Sequence, residues 1–141
     1  MNLQQIQDQI IEEFSVFEEW LDKYEYLIEL GNAIEPMDIK FRTNEYLING
    51  CQSKVWVKAE LVEDKVFFQA DSDAIITKGI VALLVRVLSG RNPTEIMNAD
   101  LYFIDRIGLT QNLSPTRSNG LLAMVKQMKL YGMAYHSKLN K

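Results

Sequence analysis

The feature that most limits the fold of this 141-residue chain is a change of hydrophobic period along its length. Ile6, Ile10, Phe14 and Phe17 recur at spacings of three and four, and so do Trp20, Tyr24, Leu27 and Ile28. Such spacing lines one face of an α-helix. Ser15 followed by Glu18 has capping-box spacing, which predicts one helix over about 3–14 and a second over about 16–30, closed by Gly31-Asn32. Beyond Pro36 the period drops to two. Glu45-Tyr46-Leu47-Ile48-Asn49 is short and rich in β-formers, and Val55, Val57, Ala59 and Leu61 alternate with Trp56, Lys58 and Glu60. A further run, Val66-Phe67-Phe68-Gln69-Ala70, follows the Glu63-Asp64 turn. These runs predict antiparallel strands joined by a hairpin.

The helical period then returns. Asp71-Ser72-Asp73 offers oxygen caps ahead of Ile76, Ile80, Leu83, Leu84, Val87 and Leu88, a stripe that Ser89-Gly90 ends. Asn92-Pro93-Thr94-Glu95 reads as cap, first-turn proline and capping-box glutamate of a short helix near 93–98. A last helix, starting near Ser118, carries Leu121, Val125, Met128, Gly132 and Tyr135 on one face. The fold class expected is α+β, a single domain over residues 1–141 in which a small antiparallel β-sheet is packed with helices. The length suits one domain, for which ~100–200 residues is usual.

Cys51 is the chain's one cysteine and His136 its one histidine, which rules out an internal disulfide and the ~four nitrogen and sulfur ligands of a structural zinc site. The N-terminus is acidic and Gln-rich where a leader would be basic, and no uncharged stretch approaches the ~18 residues of a membrane span. The expectation is a cytoplasmic protein with no membrane segment. The net charge of −4 conceals an asymmetry. Residues 1–30 hold eight acids against Lys23, whereas residues 106–141 hold Arg106, Arg117, Lys126, Lys129, Lys138 and Lys141 and no acid. That dipole either steers a protein partner or lets the terminal helices pack together. With a pI near 5.0 and no basic cluster interleaved with aromatics, nucleic acid is not an expected partner.

Cys51 stands in Asn49-Gly50-Cys51-Gln52-Ser53-Lys54, between two strand-like runs. Gly50 admits backbone angles closed to other residues, so the thiol can sit on a turn free of strand register. A thiol with the ordinary pKa of ~8.5 is a few per cent thiolate at neutral pH, so attack needs a nearby cation, a helix N-terminus or activation by a partner. Three readings compete with a reactive Cys51. One is a Cys-dependent hydrolase with His136 as base, which requires the imidazole within hydrogen-bond reach of the thiol. The others are an interaction domain with an incidental cysteine, and a cluster-assembly scaffold, against which the single thiol counts.

Taken in order, Tyr26-Leu27-Ile28-Glu29-Leu30-Gly31, then Gly50-Cys51-Gln52-Ser53-Lys54-Val55-Trp56, Ala70-Asp71-Ser72-Asp73-Ala74 with Lys78-Gly79, and Leu113-Ser114-Pro115-Thr116-Arg117-Ser118-Asn119-Gly120-Leu121 resemble the SufE family of sulfur-acceptor proteins. The resemblance spans nearly the whole chain and implies a SufE/IscU-like fold. It also implies a sulfur relay. A PLP-dependent, SufS-like cysteine desulfurase holds sulfur as a persulfide, Cys51 takes it, and an iron–sulfur scaffold receives it. On this view the chain stimulates the desulfurase and needs no cofactor, because the PLP belongs to the partner. A close relative within the family serves a second cysteine desulfurase, and the motifs fit it equally.

Supporting roles are expected around Cys51, that of Arg117 because it matches the family's Ser-Pro-x-Arg stretch. Arg117 is expected near the Cys51 loop as a cation favouring thiolate, or else on the surface at a helix terminus. Asp73 touches the cysteine loop or the partner, or caps the following helix. Gln52 and Ser53 bond a persulfide or close the turn, Gly50 hinges the loop, and Trp56 packs.

Overall fold

The structure, a computed structural model, describes residues 1–140; Lys141, counted above with the basic end, lies outside them. Helices α1 (Leu3–Ser15) and α2 (Trp20–Ala33) lead through a 3-10 turn (Ile39–Phe41) to strands β1 (Val55–Val62) and β2 (Lys65–Ser72). Helices α3 (Ile75–Leu88), α4 (Pro93–Met97), α5 (Phe103–Arg106), α6 (Leu109–Asn112) and α7 (Pro115–Leu139) follow. The fold is α+β, as the change of period predicts. β1 and β2 pair antiparallel from Val55 opposite Ser72 to Val62 opposite Lys65, across a two-residue turn in which Glu63 takes a φ of 59°.

The alternation explains the sheet. Val66, Phe68 and Ala70 are buried while Lys65, Phe67 and Gln69 face out, so β2 presents one apolar face to the core. Helix α3 is the central element, with Ile80, Val81, Leu83, Leu84, Val87 and Leu88 all buried between α2 and β2. Gly79 lets α2 and α3 touch backbone to backbone, since a Cβ there would collide with the Leu27 carbonyl. Helix α7 packs chiefly on α4, α3 and β1. Among the described residues no ion pair joins an acid of α1 or α2 to a cation of α7, so the charged ends do not neutralise one another. No described helix is long and apolar enough to cross a membrane.

Several local expectations are overturned. Ser15 does not cap α2, because its hydroxyl donates to the Glu12 carbonyl and extends α1; α2 starts at Trp20 behind Glu19, whose side chain makes no capping bond. The capping box belongs instead to α1, between Asn2 and Gln5. The 45–49 strand shrinks to one bridge from Leu47 to Trp56, because residues 43–47 are wound into turns closed by Tyr46 N–H on the Thr43 carbonyl. Helix α7 begins at Pro115, three residues before Ser118: Ser114 accepts from the Arg117 amide, and the proline fills a first-turn position that needs no N–H. Helix α3 has Ala74 as N-cap with no side-chain bond, and Ser72 Oγ accepts from the Ala74 amide itself, at 3.2 Å, instead of from a first-turn amide. The short α5 and α6 hold four residues each, too few for a periodic signal. The short helix near 93–98 forms as read, capped by Asn92.

Candidate functional site

Cys51 rides on a loop held at both ends. Upstream, the Ile48 amide donates to the Val55 carbonyl at 2.8 Å. Downstream, the Lys54 amide donates to Asp73 Oδ1 at 3.0 Å, while the Lys54 carbonyl accepts from Ser72 Oγ at 2.9 Å and from the Asp73 amide at 3.2 Å. These bonds tie Ser72 and Asp73 to the base of the cysteine loop. Between the pins, Gly50 adopts a φ of 94°, where a side chain would be strained and would press on Ala123.

The thiol points at α7. Cys51 Sγ donates to the Gly120 carbonyl at 3.6 Å, where α7 lies against the cysteine. A cavity of about 380 Å³ opens beside the sulfur, walled by Gln52, Ser53, Thr77, Ile80 and Arg117 among others. The fold thus brings Cys51, Gln52, Ser53 and Arg117 together, keeps Gly50 as the loop's bend, and sets Asp73 behind it.

Burial pushes the Cys51 thiol up from its ordinary value, and nothing offsets it. Arg117, expected near the Cys51 loop, lines the same cavity. Arg117 is exposed at the third position of α7, and its guanidinium reaches the Tyr24 hydroxyl at 3.5 Å. Partial burial thus favours the protonated form of the thiol at rest.

Behind the loop lies a cluster invisible in the sequence. The Asp71 carboxylate is fully buried and accepts from the Met37 amide at 3.2 Å, the Ser72 amide at 2.8 Å and Arg42 at 2.6 Å, with Lys78 at 3.5 Å. Burial pushes this carboxyl up, but the two amides and two cations more than offset it and hold it below the ordinary range. Arg42 also lies over the Trp56 ring, 5.7 Å from its centroid, so the buried Trp56 packs as expected. The alternation of β2 would turn Asp71 to solvent. It is covered because the segment around Met37–Arg42 folds over it, a long-range event without a local signal.

His136 takes no part. It sits sixteen positions beyond Gly120 on α7, roughly 24 Å along the axis at ~1.5 Å per residue, and its Nδ1 lies 3.2 Å from Thr94 Oγ1. The Cys–His pair of a hydrolase is not formed. Among the described residues no group of three His, Cys, Asp or Glu is placed to hold a metal.

This arrangement is a single half-buried thiol on a pinned loop, with the one histidine far from it. Comparison with known proteins identifies the family. Residues 8–131 match the family model of SufE, described as an Fe-S metabolism associated domain. The chain is 44% identical over 122 residues to SufE-like protein 1, chloroplastic/mitochondrial, of Arabidopsis thaliana, covering 86% of this chain and 33% of that protein. It thus spans about a third of the plant relative. Uncharacterized SufE-like proteins of Rhizobium meliloti and Rhizobium etli are 39% and 41% identical, each over 86% of this chain and over 91% and 86% of their own lengths. The solution structure of a hypothetical protein from Thermus thermophilus superposes with a TM-score of 0.76 at 21% identity, covering 94% of this chain and 96% of that one, which speaks to the fold alone. The chain belongs to the SufE family. Membership associates it with iron–sulfur metabolism.

Proposed function

We propose that Cys51 accepts the sulfane sulfur of a persulfide on a SufS-like, PLP-dependent cysteine desulfurase, stimulating that enzyme, and passes the sulfur to an iron–sulfur scaffold. The observation that carries this reading is the lone thiol on a loop pinned at both ends beside a cavity. In the transfer, the Cys51 thiolate attacks the outer sulfur of the partner's persulfide. A new S–S bond forms at Cys51, the partner's S–S bond breaks, and the partner's thiolate leaves and takes up a proton in place of the one Cys51 released. The PLP stays with the desulfurase, and this chain supplies only the acceptor.

Burial of the thiol supports a gated version of this chemistry. With its pKa pushed up, Cys51 is a poor nucleophile at rest. Drawing the loop out of the cavity on docking removes the desolvation and raises the thiolate fraction. Bending at Gly50 and release at Lys54 would allow that movement. Return to the cavity then shelters the persulfide from oxidants and stray thiols. Arg117, Gln52 and Ser53 line that shelter and are available to the bound sulfur, and Asp73 sets where the loop hinges. The chain works in a reducing compartment, the cytoplasm, where a lone thiol stays reduced. The same chemistry would serve a second desulfurase system. Transfer of labelled sulfur from a desulfurase to the protein tests the reading: Cys51→Ser should abolish it with the fold intact, and full transfer to that variant would refute it.

A further inference from the structure

We propose that the Thr77 hydroxyl, on the first turn of α3, holds the terminal sulfur of the Cys51 persulfide. The inference rests on the acceptor reading and concerns retention of the sulfur, not its capture.

Thr77 is 7% exposed and forms part of the wall of the Cys51 cavity. Its hydroxyl makes no hydrogen bond to protein among the described residues. Even the usual outlet for a helical threonine, the carbonyl one turn back, is not taken. A hydroxyl on a cavity wall with no protein partner is free to bond a group that enters the cavity. Among the described residues Trp20 Nε1 is the one side-chain nitrogen or oxygen sealed from solvent without a partner. Thr77 Oγ1 is therefore not sealed in the packed core and opens on the cavity. Of the other polar side chains around the cavity, Ser53 is half-buried, and Gln52, Ser114, Thr116 and Arg117 are exposed.

The second observation comes from the same helix. Thr77 is the third residue of the 14-residue α3, whose N-cap Ala74 provides no side-chain oxygen. The amides of Ile75, Ile76 and Thr77 are thus free at the positive end of the helix, and the first intrahelical bond is Lys78 N–H on the Ala74 carbonyl. Such an end favours an anion.

The matching group is a hydrogen-bond acceptor that carries negative charge and arrives inside the cavity. The terminal sulfur of a persulfide anion is all three. It extends the Cys51 side chain by one S–S bond, about 2.05 Å. The unmodified thiol does not fill the role, because its Sγ is engaged at the Gly120 carbonyl. Thr77 is thus a positioning residue for the cargo. Nothing in the sequence marks it, since it lies between Ile76 and Lys78 in an ordinary helical run.

The test loads Cys51 in two ways, with inorganic polysulfide and with a cysteine desulfurase plus cysteine. Persulfide decay is then followed by intact-protein mass spectrometry in a fixed concentration of a small thiol. Thr77→Val removes the hydroxyl at nearly constant shape and should shorten the persulfide lifetime about fivefold, the scale of one hydrogen bond. Thr77→Ser keeps the hydroxyl and should stay close to the unmutated protein. Thr77→Ala supplies the same comparison if valine crowds the wall. A persulfide as durable in Thr77→Val and Thr77→Ala as in the unmutated protein overturns the proposal. So does an equal loss in Thr77→Ser, which would assign the effect to packing. If polysulfide-loaded Thr77→Val decays faster but the desulfurase loads no variant, the Thr77 contact stands and the acceptor reading falls.

Discussion

Two charged clusters sit at opposite ends of α3 and use similar groups for different ends. At the C-terminal end, Arg86 grips Glu13 through both guanidinium nitrogens, at 2.9 and 2.5 Å, and Tyr26 donates to the same carboxylate at 2.6 Å. That cluster braces α1, α2 and α3, and its ion pair is about a quarter exposed. At the N-terminal end, Asp71 has no exposure at all and draws Arg42, Lys78 and the Met37 amide around it. The brace holds helices together. The buried cluster fixes the turn from which Ser72 and Asp73 reach the Cys51 loop. The comparison teaches that charge is buried in this molecule where a loop must be set, and left near the surface where helices need only be tied.

The largest effect that separates the two ends is expected from Asp71→Ala. It leaves two cations and two backbone amides without their carboxylate, and breaking a buried pair this way costs about 3–5 kcal/mol. Urea unfolding should show that loss, and a loss under 1 kcal/mol would erase the distinction. Acidification reads the same contrast. Asp71 is pushed up by burial but held down overall by its amides and cations, and Glu13 is held down chiefly by its bond to Arg86. A carboxyl lowered in the folded state stabilises above its unfolded pKa, about 4, and that contribution is lost as pH falls through the folded value. The urea midpoint should therefore drop below about pH 4, and Asp71→Asn should flatten that acid limb.

Smaller changes should sort by location and not by size. Asp73→Ala and Glu13→Gln each remove hydrogen bonds and should cost about 1 kcal/mol. Only Asp73→Ala frees the Lys54 amide, so it alone should speed alkylation of Cys51 by iodoacetamide. Equal alkylation rates in the two variants would dissolve the link between Asp73 and the loop.

What the sequence made legible was whatever is decided between near neighbours. The hairpin reads cleanly because Val66, Phe68 and Ala70 alternate with outward residues and the turn is two residues long. The Cys51 loop reads because its glycine precedes the thiol and the surrounding motifs are ordered along the chain. Ser72 and Asp73 misled for an instructive reason. Their side chains are good helix caps, but the Lys54 backbone, 18 and 19 positions away, holds them instead. Arg117 lies by the cavity as expected, yet its reach to Tyr24 depends on how α2 meets α7, which no local pattern encodes. Asp71 and Thr77 were hidden for the same cause, since their burial comes from segments far away in sequence.

Mass spectrometry of the intact chain and its peptides, after incubation with a cysteine desulfurase and cysteine, tests the central claim most directly. Addition of one sulfur atom in thiol exchange, about 32 Da, should appear on the Cys51 peptide alone. An unmodified Cys51 peptide beside an active desulfurase, or the same adduct elsewhere in the chain, would contradict it.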